Sequence, residues 1–232
     1  MPQDTAIILA AAGTSSRFGQ PFVKKVFALL GGKPVFQHSA TMFSDHPSVA
    51  QQLLVIHPED REMFRTKFAA TVAMMGIEIV LGGDERWQSV QNALAKLSPA
   101  IEFVAIHDAA RPLLPMNDFD KVLQAAREDG AAILGEPIYG TVKRTDVDGW
   151  IESTVPRERL FQAQTPQVFR RDWLEAAYAK RTSLHPTDDA QLVEASGKRV
   201  RLVAGSRINL KITTQEDLRW AEVALKSRPG GR

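Results

Sequence analysis

The stretch Ile7-Ile8-Leu9-Ala10-Ala11-Ala12-Gly13-Thr14-Ser15-Ser16-Arg17-Phe18-Gly19, with Lys24 and Lys25 close behind, joins an apolar run to small residues and then to cations. A β-branched apolar run reads as a buried strand. Small residues after it let backbone N–H groups approach a polyphosphate, and Arg and Lys offset its negative oxygens. There is no Gly-Lys-Ser/Thr after the turn and no three-glycine dinucleotide fingerprint, so neither common phosphate-loop pattern fits. The chemistry indicated is a nucleotide site of another kind, with Arg17 and Lys24 as a polyphosphate clamp. Lys25 competes with Lys24 for that role, and spacing alone does not choose between them.

Asp108 follows a second buried run, among the small residues Ala109 and Ala110. A carboxylate so placed could hold Mg²⁺, which takes oxygen ligands and keeps much of its shell as water and substrate phosphate. The alternatives are an Asp that caps a helix or pairs with Arg111; co-location with the cationic loop favours the metal. His107, a lone imidazole at a strand end, reads as a packed, hydrogen-bonded side chain and is given no catalytic role. Gly82-Gly83-Asp84 is explained locally by a turn needing positive φ. A close backbone there would also present C=O and N–H groups to a nucleobase edge, with Ser89 adding a hydroxyl. Arg157, Thr165, Thr187 and Lys211 are polar groups at turns or element ends, and each alone reads as ordinary surface.

Short apolar runs alternating with amphipathic segments predict an α/β protein with a mostly parallel twisted sheet. Strands are expected at 6–11, 52–56, 77–81, 103–106 and 131–135, and helices at 35–43, 59–70, 86–97 and 117–128. In the first helix Val35, His38 and Met42 share a face. Right-handed crossovers put the carboxyl ends of the strands on one edge, where ligands of open α/β sheets bind. All three unusual loops fall there. Residues 141–145 and 150–155, flanking Asp146-Val147-Asp148-Gly149, read as a hairpin. Two strands alone are marginal, so a second copy of the chain is the expected support. Residues 161–169 return to the sheet, and helices follow at 171–180 and 188–195. A last helix starts with Thr213 and Glu216 at capping-box spacing and would bury Leu218, Ala221, Val223 and Leu225. One domain is expected over 1–232, with an arm at about 138–157 and a frayed tail at 227–232.

A chain of 232 residues with a formal charge of +2 does not call for nucleic acid. With no cysteine, disulfides, thiolate metal sites and a cysteine nucleophile are excluded. The polar, acidic start and the shortness of the first apolar run lead to the expectation of a soluble cytoplasmic protein. Little chain follows Lys211, so no fused second enzyme is expected.

Taken in order, Ala11-Ala12-Gly13…Arg17-Phe18-Gly19…Lys24, Gly82-Gly83-Asp84-Glu85-Arg86…Ser89-Val90 and His107-Asp108-Ala109-Ala110-Arg111-Pro112 resemble the 2-C-methyl-D-erythritol 4-phosphate cytidylyltransferase family. The resemblance continues through Thr141-Val142-Lys143, Ala163-Gln164-Thr165-Pro166-Gln167, Thr187-Asp188-Asp189-Ala190 and Asn209-Leu210-Lys211-Ile212-Thr213. The first motif is shared by many nucleotidyltransferases; the ordered set is specific. It implies a Rossmann-like, GT-A-like nucleotidyltransferase fold with a protruding hairpin arm, and transfer of CMP from CTP to a sugar-alcohol phosphate in the non-mevalonate route to isoprenoid precursors. Arg17 and Lys24 would stabilise the transition state at the α-phosphorus, with Lys211 and Arg157 also catalytic. Ala11, Ala12, Gly13, Gly83, Asp84, Ser89 and Ala109 would bind CTP. Asp108, Arg157, Thr165, Thr187 and Lys211 would surround the acceptor, with Mg²⁺ on Asp108 and Thr141 arriving from the partner of a homodimer.

On that reading, Lys24→Ala lowers kcat about a hundredfold, the scale for loss of a preorganised transition-state donor. Ser15 replaces the family's usual second glycine, Val23-Lys24-Lys25 stands for Pro-Lys-Gln, and Leu210 for Ile. The first of these narrows the loop's backbone options. A ribitol-5-phosphate cytidylyltransferase differs in acceptor alone, and an inactive nucleotide-binding regulatory subunit is the rival from another class. Retention of Arg17, Lys24, Asp108 and Lys211 together argues against the latter.

Overall fold

The opening apolar run forms β1 (Thr5–Ala10), in which Ile7, Ile8 and Leu9 are fully buried. Side chains alternate across a strand: Ile7 and Leu9 join one apolar cluster, Ala6 and Ile8 another on the opposite face. Ile7, Ile8 and Leu9 each contribute about 1.5–3 kcal/mol by leaving water. The computed structural model describes residues 2–15, 18–19, 24–181 and 185–227; Arg17, named above, and the end of the tail lie outside them.

After a 3₁₀ turn at Lys25–Phe27 come β2 (Leu29–Leu30), β3 (Lys33–Pro34), α1 (Val35–Ser44) and β4 (Val49–Ile56). The helix expected at 59–70 is instead composite: a 3₁₀ turn at Pro58–Asp60, α2 (Arg61–Met63), a π turn at Phe64–Phe68 and α3 (Ala69–Met74). Its widened turn fits an aromatic cluster, in which Phe64 and Phe68 meet Phe36 and Phe27 with ring centroids 5.1–6.0 Å apart. That packing anchors the turn bearing Lys25. α1 buries Val35, Phe36, Ser39, Ala40 and Phe43, so of the three residues read at helical spacing Val35 is buried and Met42 packs partly buried against the core. His38 is half-buried, with Nε2 2.7 Å from the Leu30 carbonyl.

The chain continues through β5 (Ile77–Leu81), α4 (Arg86–Leu94), β6 (Phe103–Asp108), α5 (Met116–Asp129), β7 (Ala131–Pro137), the hairpin strands β8 (Val142–Thr145) and β9 (Ile151–Val155), β10 (Phe161–Arg170), α6 (Arg171–Ala179), α7 (Asp189–Ala195), β11 (Arg201–Ala204) and α8 (Gln215–Lys226). Seven strands form one sheet in the order β11-β7-β10-β6-β1-β4-β5. β10 pairs antiparallel with both β6 and β7; the other pairs are parallel. β11 carries no strong sequence signal because it is short and largely exposed, and it is held by register with β7.

α8 begins one residue later than its expected cap. Thr214 accepts from the Asp217 N–H, and the Asp217 carboxylate accepts from the Thr214 N–H. On this helix Ala221 is buried and Leu218, Ala224 and Leu225 are partly so, whereas Val223 is exposed, a correction to the expected face. No helix among the described residues is long and apolar enough to cross a membrane.

Candidate active site

The carboxyl ends of β1, β5 and β6 open onto a cleft of about 300 Å³. One wall is small and made of backbone: Ala11, Ala12 and Gly13 after β1, and Gly83 and Asp84 after β5, with the Ser89 hydroxyl behind. Ser89 Oγ accepts from the Gly83 N–H at 3.1 Å and fixes that turn. Neither Gly82 nor Gly83 has positive φ, so close approach, not turn conformation, requires glycine here. A Cβ on Gly82 would lie 2.7 Å from Ser89 Oγ and 2.8 Å from the Ala12 Cβ.

The other wall is charged. Lys211 Nζ lies 2.8 Å from Asp108 Oδ2, and Arg111 Nε lies 3.4 Å from the same oxygen. Lys211 is set beside β6 by its neighbours: the Ile212 N–H donates to the Ala110 carbonyl, the Asn209 carbonyl accepts from Arg111 Nη1, and Asn209 Nδ2 donates to the Thr165 carbonyl. Thr165 Oγ1 accepts from the Asp108 N–H at 3.0 Å. Burial alone would push the Asp108 carboxyl up, but the positive charges of Lys211, Arg111 and Arg86 outweigh it and hold the group well below the usual carboxylate range. Asp108 is therefore an anion across the whole neutral range.

His107 is fully buried, with Nε2 3.1 Å from the Arg111 carbonyl and Nδ1 3.1 Å from Thr165 Oγ1. A carbonyl only accepts, so Nε2 carries the proton and Nδ1 accepts from the Thr165 hydroxyl. Burial lowers the imidazole pKa to about 4. It is a neutral strut behind Asp108, not a base.

The first loop separates its two lysines. Lys25 lines the cleft, while Lys24 Nζ pairs with Asp60 Oδ2 at 2.8 Å at the start of the composite helical segment. Ser15, in the glycine position, adopts φ +60° and accepts the Lys25 N–H on its Oγ at 3.2 Å. The serine thus takes a left-handed conformation and ties its turn to the one that bears Lys25.

A family model described as 2-C-methyl-D-erythritol 4-phosphate cytidylyltransferase matches residues 5–227. The chain belongs to that family. A relative of that name from Rhodopirellula baltica is 43% identical over 231 residues, covering 95% of this chain and 94% of the relative. Another from Pelotomaculum thermopropionicum is 41% identical over 228 residues, covering 97% and 95%. Among solved structures, 4-diphosphocytidyl-2C-methyl-D-erythritol synthase from Anaerococcus prevotii superposes with a TM-score of 0.83 at 29% identity, over 97% of this chain and 96% of that one. The family makes the chain a nucleotidyltransferase enzyme.

Of the residues expected from the family motifs, the cleft brings together Ala11, Ala12, Gly13, Gly83, Asp84, Ser89, Asp108 and Lys211. Lys24 does not line it, because its charge is committed to Asp60; Lys25 stands there instead. Ala109 is buried beneath the floor, where its N–H donates to the Ala10 carbonyl, and Ala110 reaches the cleft in its place. Thr165 braces Asp108 from behind. Thr141, Arg157 and Thr187 are exposed and do not line the cleft, with the Arg157 guanidinium donating to the Tyr139 carbonyl on the arm. The sequence reading passed over Arg86 and His57, both on the wall. Arg86 stands inside a quoted motif, yet its partner is 103 residues away.

Proposed function

We propose that this chain transfers CMP from CTP to 2-C-methyl-D-erythritol 4-phosphate, giving 4-diphosphocytidyl-2-C-methyl-D-erythritol and pyrophosphate. The observation that carries the reading is the cleft itself: a backbone wall sized for a nucleotide shares one space with Asp108, Lys211, Lys25 and Arg86. The acceptor's phosphate oxygen is already an anion, so no general base is needed. It attacks the α-phosphorus in line, a bond to that phosphorus forms, and the bond to the β-phosphate oxygen breaks with its electron pair leaving on pyrophosphate. The chain's work is then to orient the two phosphates and neutralise developing charge.

Lys25 serves as the cation at the reacting phosphate, the role Lys24 would otherwise hold, with Arg17 beside it in the motif. Ala11 to Gly13, Gly83, Asp84 and Ser89 hold CTP, and Lys211 holds the acceptor phosphate. Mg²⁺ fits the donor set: both ion pairs of Asp108 use Oδ2, leaving Oδ1 for a hard cation. One carboxylate suffices when substrate phosphate completes the shell, and among the described residues no group of three or more His, Cys, Asp or Glu could hold a metal alone. When bound, the ion would neutralise the triphosphate.

Thr141 and Arg157 bracket the hairpin, where Trp150, Ile151 and Val147 are exposed. A second copy accepting that arm would bury these residues and carry Thr141 and Arg157 to a neighbouring acceptor site, which supports a homodimer. Thr187 completes the acceptor side. The deciding assay is pyrophosphate release with a panel of nucleoside triphosphates against methylerythritol phosphate and ribitol phosphate. CTP with the former should be fastest, release should require both acceptor and Mg²⁺, and CTP binding without release would overturn the reading.

A further inference from the structure

Arg86 leaves the β5–α4 turn and places one end of its guanidinium on Asp189, Nη2 to Oδ2 2.5 Å. Asp189 is wholly buried, and its other oxygen accepts from the Tyr178 hydroxyl at 2.6 Å. An ionised carboxylate so far from water is tolerated only when paired and hydrogen-bonded. Removing either partner would therefore let the β5–α4 turn and the start of α7 shift relative to each other.

The bridge closes a ring. The Asp108 N–H donates to Thr165 Oγ1; two residues along β10, Gln167 Oε1 accepts from the N–H groups of Asp189 and Ala190 at 3.1 Å; Asp189 holds Arg86; and Arg86 lines the cleft, its charge helping keep Asp108 ionised. The nucleotide wall and the acceptor wall are thus joined through one buried carboxylate. Because β10 supports both Asp108 and the start of α7, a shift at Asp189 moves both walls.

We propose that the Arg86–Asp189 pair is a brace that fixes the separation of the two substrates, with both residues positioning the in-line attack. The proposal rests on the reading of function given above. Neither residue does chemistry itself; the pair sets the distance over which the acceptor oxygen must reach phosphorus, and small misplacements cost rate steeply.

The test is steady-state kinetics and calorimetric CTP binding on the full chain. Asp189→Asn and Arg86→Gln should each lower kcat at least tenfold, change the CTP Kd less than threefold, and combine in the double variant to no more than the larger single loss. Arg86→Lys, which keeps charge but ends one atom short of Nη2, should behave like Arg86→Gln. Tyr178→Phe, the milder change, serves if Asp189→Asn fails to fold and should lower kcat two- to fivefold. Unchanged kcat in folded variants, losses that multiply, or rescue by lysine would each overturn the brace. An inactive wild type would sink the functional reading, whereas an active wild type with indifferent variants would sink only the brace.

Discussion

The cleft and the hairpin arm solve opposite problems. Around the cleft, carboxylates are buried and matched to cations: Asp108 serves Lys211 and Arg111, Asp189 serves Arg86, and Asp60 serves Lys24. Along the arm nearly every residue of β8 and β9 is exposed, and apolar Trp150 and Ile151 face water on two paired strands with no core of their own. A buried charge network is complete within one chain, whereas an exposed apolar ribbon is finished only by another surface. Changes at the cleft should therefore alter chemistry and folding of the single chain, and changes to the exposed apolar residues of the arm should act through the association proposed above.

The largest expected effect sets two neighbouring lysines against each other. Lys25→Ala should lower kcat about a hundredfold or more, as for removal of one preorganised transition-state donor, and Lys24→Ala less than tenfold in steady-state assays. Equal losses would erase the distinction between cleft and support.

Next comes acid. His107 has a folded pKa of about 4 against an ordinary 6.5, so the unfolded chain binds its proton first as pH falls. Its contribution to stability is intact above about pH 6.5 and is lost progressively down to pH 4. The loss should be about 2 kcal/mol between pH 7 and pH 5, measured by urea denaturation without added divalent ion, and His107→Gln should flatten that dependence. Gly82→Ala should then cost about 1.5 kcal/mol of stability, since its methyl would wedge the Ser89 hydroxyl from Ala12; a thermal melt matching the parent would refute the tight fit. The smallest effect belongs to the arm: Trp150→Ser should weaken self-association roughly tenfold, about 1.4 kcal/mol, in sedimentation velocity, with CTP affinity of the cleft unchanged.

What could be read from the sequence divides along the same line. The strand-and-loop motifs at 7–13, 82–89 and 107–111 were legible because each is contiguous, and a parallel sheet places their loops on one edge. The hairpin was legible from its Asp-Gly turn: Asp146 Oδ1 does accept the Asp148 and Trp150 N–H groups. The choice between Lys24 and Lys25 was not legible, since it turns on Asp60, a partner supplied by a distant segment. Nor was Arg86–Asp189, a contact written in two motifs that neither reveals alone. The π turn at Phe64–Phe68 follows from aromatic packing across elements, which helical periodicity does not report. The missed cap of α8 was a one-residue ambiguity between adjacent threonines, resolved by their hydroxyls: Thr214 Oγ1 accepts the Asp217 N–H, whereas Thr213 Oγ1 donates to the Lys211 carbonyl.

The reversed strand β10 has a practical outcome for engineering. It sits between two neighbours running the other way, and its inward residues Thr165 and Gln167 each steady a different part of the rim. A slip of one position would turn both side chains to the wrong face at once. Attempts to redirect the enzyme toward a different polyol phosphate should leave this strand untouched and recruit diversity from solvent-facing positions such as Thr187 and the arm, where a change of side chain does not disturb the frame.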